Sequence, residues 1–166
     1  LNAGLKSISF DDVLAAGFAP EAVVARLTRY RSGDGDRPDR VLEALAAGNA
    51  PGGEQFGSYK SLTKALGAAK SNYRNDRNSS YRNTFQWHHL VEQTPNKAMG
   101  EAFLRRVQSE GNVILMPTCV HTQISGIYKS GYRQALKGAS FDWQYEVGIN
   151  VTFAMISLDR LAKCGP

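Results

Sequence analysis

The sequence predicts an α+β fold, a mostly helical domain around a small two-stranded core. Three observations predict it: apolar residues recur at helical spacing over most of the chain, two short stretches near Phe85 and Asn112 carry strand patterns, and every histidine, His88, His89 and His121, falls at the end of the first strand or just beyond the second.

Phe10-Asp11-Asp12-Val13-Leu14 opens a short helical segment. Pro20-Glu21 places a proline and an acid in the first turn of a second, which runs to about Tyr30 with Val23, Val24 and Leu27 inward. Arg31 to Asp36 is a turn-rich break. Pro38 to Ala47 reads as a third helix closed by Gly48, and Asn49-Ala50-Pro51-Gly52-Gly53 is the strongest linker signal in the chain. The domain boundary therefore falls there, with a helical segment over 1–53 and a second domain over 54–166. Ser58 to Lys70 sets Tyr59, Leu62, Leu66 and Ala69 on one helical stripe, and the polar run from Ser71 to Ser80 is a loop.

Phe85 and Trp87 then alternate with Thr84, Gln86 and His88 as in a half-buried strand. Pro95 to Val107 returns to helical spacing through Ala98, Phe103, Leu104 and Val107. Asn112 to Met116 is a short apolar strand ended by Pro117, and a helix is expected from Thr118 through Tyr132 with His121 in its first turns. Phe141, Tyr145, Ile149, Phe153 and Ile156 fit a helix while Val147, Ile149, Val151 and Phe153 fit a strand; Ser140 as N-cap and Asp142 in the first turn favour the helix.

Bulk properties narrow the function classes. Of 166 residues, 42% are apolar and 21% charged, the balance of a globular protein rather than a disordered one. Twenty Lys and Arg against 15 Asp and Glu give a net charge of +5, which favours an anionic partner, nucleic acid first. The most apolar stretch, Val147 to Leu158, includes Asn150, Thr152 and Ser157 and falls short of the roughly 20 apolar residues a membrane span needs, so no membrane association is expected. The chain starts at Leu1 without a signal-peptide pattern and is expected to be a piece of something larger. Cys119 and Cys164 allow one bridge, but two reduced thiols are the favoured reading.

Histidine is the side chain that changes protonation near neutral pH and the commonest neutral metal ligand. Successive strand residues point to opposite faces, so His88 and His89 diverge in a regular strand and converge only where the strand ends in a turn. Hydrolysis of a phosphodiester needs two tasks done close together: charge neutralisation on the phosphate by a metal ion and removal of a proton from water by a neutral imidazole. Adjacent histidines plus a third on a following helix can supply both.

Trp87-His88-His89-Leu90-Val91-Glu92-Gln93, then Gly111-Asn112-Val113-Ile114-Leu115-Met116, then His121 nine positions after Asn112, resembles the HNH, or His-Me finger, nuclease module in the WHH-type form found as the C-terminal toxin domain of bacterial polymorphic toxins. The resemblance covers roughly Phe85 to Tyr132. It implies a ββα-metal core over about 85–132, one divalent ion, and cleavage of nucleic acid without a strong sequence demand. On that pattern His89 is the general base, His88 and His121 are metal ligands, and Asn112 ties the loop and orients the base. Many members carry a second helical ligand four residues after the first; here that position is Ser125, so water, Glu92 or Ser125 completes the sphere and Mg²⁺ is favoured over Zn²⁺ or another transition metal. The resemblance further implies a DNase, or alternatively an RNase, delivered into the cytoplasm of a target cell and neutralised in its producer by an immunity protein, expected to be acidic.

Blander readings stand beside these. Glu92 reads more simply as a solvated or capping carboxylate than as a ligand, Cys119 as a small buried filler, and Trp87 as core beneath the site. Arg82, Lys129 and Arg133, with Lys70, Arg74 and Arg77, are the cations placed to hold phosphate; each alone is an ordinary surface charge. From a different class, the domain reads as a noncatalytic nucleic-acid-binding module whose histidines hold a structural Zn²⁺. A third reading gives the function to residues 1–70, as a translocation or partner-contact element.

Overall fold

The structure is a computed structural model that describes residues 53–67 and 85–157. The helices expected within 1–48, the polar loop at 71–80 and Arg82 lie outside the described residues. Those described form an α+β unit, mostly helical, with one two-stranded antiparallel sheet. Strands β1 (Phe85–His89) and β2 (Val113–Pro117) pair with Trp87 opposite Leu115, His88 opposite Ile114 and His89 opposite Val113. The second strand begins one residue later than expected because Asn112 closes a single helical turn, Glu110–Asn112, rather than extending.

The two faces of the sheet bury against different partners. Helix α1 (Tyr59–Leu66), capped by Ser58 whose Oγ accepts the Ser61 N–H at 3.2 Å, drives Leu62 into a cluster with Trp87, Val113 and Leu115. Trp87 is buried there, its indole N–H donating to the Gly67 carbonyl at 3.0 Å. The segment before α1 is tied to the turn before β2: Phe56 N–H donates to the Gln108 carbonyl at 2.8 Å and Glu110 N–H to the Glu54 carbonyl at 3.0 Å. Gly53 fits against that turn, since a Cβ there would stand 2.7 Å from the Cβ of Glu110.

The other face packs on α3 (Thr118–Ile127) and α5 (Phe141–Ser157), where Ile114, Met116, Val120, Ile124, Ile127, Val151 and Phe153 share the larger core. Each such side chain contributes about 1.5–3 kcal/mol of burial, so this face carries most of the apolar driving force. Helix α5 begins as expected, with Ser140 Oγ accepting the Trp143 N–H at 3.3 Å. Its ambiguous periodicity has a physical cause: Val147, Val151, Phe153, Ala154 and Met155 are all buried, and a helix covered on several sides has no single apolar stripe.

Two expected helices are interrupted. The stretch from Pro95 to Val107 divides into a 3₁₀ turn, Thr94–Asn96, and α2 (Glu101–Val107), separated at Gly100 with φ +88°. The stretch from Thr118 to Tyr132 holds α3 only to Ile127; a wide π-type turn follows over Tyr128–Tyr132 with Gly131 at φ +142°, then the short α4 (Arg133–Leu136). Cys119 is disulfide-bonded, which corrects the expectation of two reduced thiols; Cys164, the other cysteine of the sequence, lies outside the described residues. Among the described residues no helix is long and apolar enough to cross a membrane.

Candidate active site

β1 stays regular through its last two residues, so His88 and His89 leave the sheet on opposite faces. His88 points into the larger core, 2% exposed, with Nε2 at 3.1 Å from Thr152 Oγ1 on α5. Its ring meets His121 of α3 edge-on at a centroid distance of 5.4 Å and lies 6.2 Å from the ring of Tyr128. His89 is partly buried on the α1 side. The Gln108 amide oxygen lies 3.2 Å from its Nε2, and an amide oxygen can only accept, so Nε2 carries the proton and Nδ1 keeps its lone pair. Tyr59, from the first turn of α1, tilts over the His89 ring at 5.5 Å.

Burial governs the electrostatics of all three rings. It holds His88 well below its ordinary value of 6.5, with charge on His121 and His89 acting the same way. It lowers His89 too, partly offset by the Gln108 acceptor, and pushes His121 down to about 4, aided by His89 and Lys129. All three imidazoles are therefore neutral near pH 7, the state required both of a ligand and of a base.

Asn112 is fully buried and closes the site from below. Its Oδ1 accepts the Val91 N–H at 2.9 Å, while Nδ2 donates to the Val91 carbonyl at 3.1 Å and the Val107 carbonyl at 2.9 Å. The loop tie expected of Asn112 is present, whereas the hydrogen bond orienting His89 comes from Gln108. The loop after β1 is pinned from two further sides. Tyr128 OH donates to the Leu90 carbonyl at 3.3 Å, and α5 approaches so closely that a Cβ on Gly148 would stand 2.3 Å from that same oxygen.

Other sequence candidates are distributed unevenly. Glu92 receives Arg133 in a two-pronged ion pair, Nε at 2.7 Å and Nη2 at 2.5 Å, and the carboxylate raises the Arg133 pKa. Both oxygens of Glu92 accept from Arg133, and the Arg133 fork answers a carboxylate of its own chain instead of standing open to phosphate. Ser125 sits one turn beyond His121, partly buried, and Lys129 is exposed close enough to His121 to depress its pKa. The imidazoles of His88 and His121 fit a metal ion in donor type and protonation state. Among the described residues, however, no group of three or more His, Cys, Asp or Glu is gathered to hold one.

Three contributors carry no usable signal in the sequence: Gln108, Thr152 and Tyr59 touch the histidines only through pairings between distant segments. No family model matches the chain, and neither the curated proteins nor the solved structures include a match.

Proposed function

We propose that this domain is a metal-dependent nuclease of the HNH, or ββα-metal, type that hydrolyses nucleic acid with little sequence specificity. DNA is the preferred substrate, and the biological setting is a toxin domain countered by an acidic immunity protein. The observation that carries the reading is the pairing of His88 with His121, ring to ring at 5.4 Å, beside a neighbouring His89 that leaves the opposite face of the strand with its Nδ1 lone pair unprotonated. His88 and His121 would hold the ion, with Ser125 and water the remaining oxygen donors nearest in sequence. When bound, such an ion supplies charge stabilisation on the phosphate.

The chain's own residues do the rest. His89, neutral and fixed by Gln108, accepts a proton from the attacking water at Nδ1; the net charge of +5 and the exposed Lys129 draw the polyanion to the site. Incubating the purified protein with plasmid and Mg²⁺ should nick it, and chelator should stop the reaction; Mn²⁺, Ni²⁺ and Zn²⁺ are tested in parallel, as imidazole donors suit transition metals better than Mg²⁺. Absence of chelator-sensitive cleavage of either DNA or RNA with every metal would refute the reading. The deep burial of His88 favours one second reading, a structural Zn²⁺ in a noncatalytic nucleic-acid-binding module. It predicts one metal per chain surviving dialysis and a melting temperature that collapses on its removal.

A further inference from the structure

Tyr59 is one of two large hydrophobic side chains left substantially exposed among the described residues, at 40%, and its ring lies 5.5 Å from the ring of His89. Its placement is built rather than incidental. Leu62, three positions on, is fully buried against Trp87, Val113 and Leu115, which fixes the rotation of α1 and so the side on which Tyr59 emerges. The strand-like stretch before α1 is hydrogen-bonded to the turn that supplies Gln108, through Phe56 N–H to the Gln108 carbonyl at 2.8 Å and the Gln55–Ser109 bridge. Gln108 and Tyr59 therefore belong to one tied unit, one holding His89 at Nε2 and the other set against its ring at a tilt of 47°.

We propose that Tyr59 is a positioning residue for His89: its ring packs on the imidazole and, together with the Gln108 hydrogen bond, fixes the plane in which Nδ1 is presented. This rests on the reading of His89 as the base. A hydrogen bond at one nitrogen leaves the imidazole free to swing about that contact, and a second ring packed beside it at 5.5 Å restricts the swing. Small misalignment of a reacting group is costly in rate while leaving substrate affinity intact. Helix α1 is thereby part of the site, not an accessory to it.

The test compares Tyr59→Ala and Tyr59→Phe in the full chain with two readouts. The first is steady-state cleavage of a short oligonucleotide duplex; the second is the rate of diethylpyrocarbonate labelling of His89, located by peptide mass spectrometry, which needs no catalysis. Expected for Tyr59→Ala is a kcat lower by about 10- to 100-fold with KM within about twofold of wild type, and labelling of His89 several times faster. Tyr59→Phe, which keeps the ring, should restore both. A Tyr59→Ala protein with unchanged kcat, or one whose loss falls on KM alone as for a substrate-stacking residue, overturns the proposal. So does unchanged labelling of His89. If the wild type cleaves nothing, the reading of His89 as a base fails by itself, and the labelling rates still decide whether Tyr59 covers the ring.

Discussion

The two faces of the small sheet hold neighbouring histidines in opposite kinds of environment. On one, His88 is sunk in the larger core, bonded to Thr152 and set against His121 and Tyr128. On the other, His89 lies against Tyr59 of α1, its Nε2 held by Gln108 from the turn before β2. One regular strand gives neighbouring imidazoles these different surroundings by alternation alone.

Breaking the comparison at its centre should have the largest effect. His89→Ala should lower cleavage by about 100- to 10,000-fold, the usual worth of a general base, at a stability cost of about 1–2 kcal/mol, since the buried Gln108 amide oxygen loses its partner. His88→Ala should also abolish cleavage, but at a cost of about 2–4 kcal/mol, since it opens a core cavity and removes one of the hydrogen bonds of Thr152. Parallel nicking assays and denaturant melts read the difference. Equal stability losses in the two variants would erase the distinction between the faces.

Asn112 joins the faces from beneath. Asn112→Ala strips hydrogen bonds from the Val91 N–H and from the Val91 and Val107 carbonyls, all buried, and should cost roughly 3 kcal/mol or more at about 1–3 kcal/mol per orphaned group. Urea midpoints measure it; a loss under about 1 kcal/mol would mean that the loop after β1 needs no such tie. Gly148 tests the crowded face alone. Replacing a helical Gly by Ala normally gains up to about 1 kcal/mol, yet here the new Cβ would meet the Leu90 carbonyl at 2.3 Å. Gly148→Ala should therefore destabilise by about 1–3 kcal/mol as an overpacked site, and a stabilised variant would refute the close approach.

The same burial predicts an acid limb. Each histidine has a folded pKa below its unfolded value of 6.5, so the unfolded chain binds more protons between the two values. Stability from these groups is complete above pH 6.5 and falls as pH drops toward about 4, the His121 value. In metal-free protein the melting temperature should decline over that window, and His121→Asn should flatten the decline.

Much of this was legible in the sequence where the pattern was local. The two strands and the Ser140 cap follow from alternation, a short apolar run and a capping hydroxyl, whereas the turn at Asn112 falls where a strand residue is expected. The interruptions at Gly100 and Gly131 were less legible, because glycine inside an apolar-periodic stretch is tolerated as often as it breaks the helix. Least legible were Gln108, Thr152 and Tyr59, whose roles arise from tertiary pairing. Glu92, which reads in the sequence as a solvated or capping carboxylate before a ligand, and Arg133, which alone reads as a surface charge, stand 41 positions apart, and only the fold shows them paired.

Gln108 offers the smallest and most selective perturbation of the His89 face. Without its amide oxygen the neutral imidazole has no reason to keep its proton on Nε2, and a fraction of molecules would place it on Nδ1, where the ring cannot act as a base. Gln108→Leu keeps the volume, so its stability cost should stay near 0.5–1.5 kcal/mol, roughly that of one hydrogen bond. Cleavage should nevertheless fall about 10- to 100-fold, the range seen when a residue that orients a functional histidine is removed. Nitrogen-15 NMR of the His89 ring gives the check, with Nε2–H dominant in the wild type and a mixture of tautomers in the variant. An unmixed Nε2–H tautomer in Gln108→Leu would shift the orientation of His89 from Gln108 to the packing of Tyr59 alone.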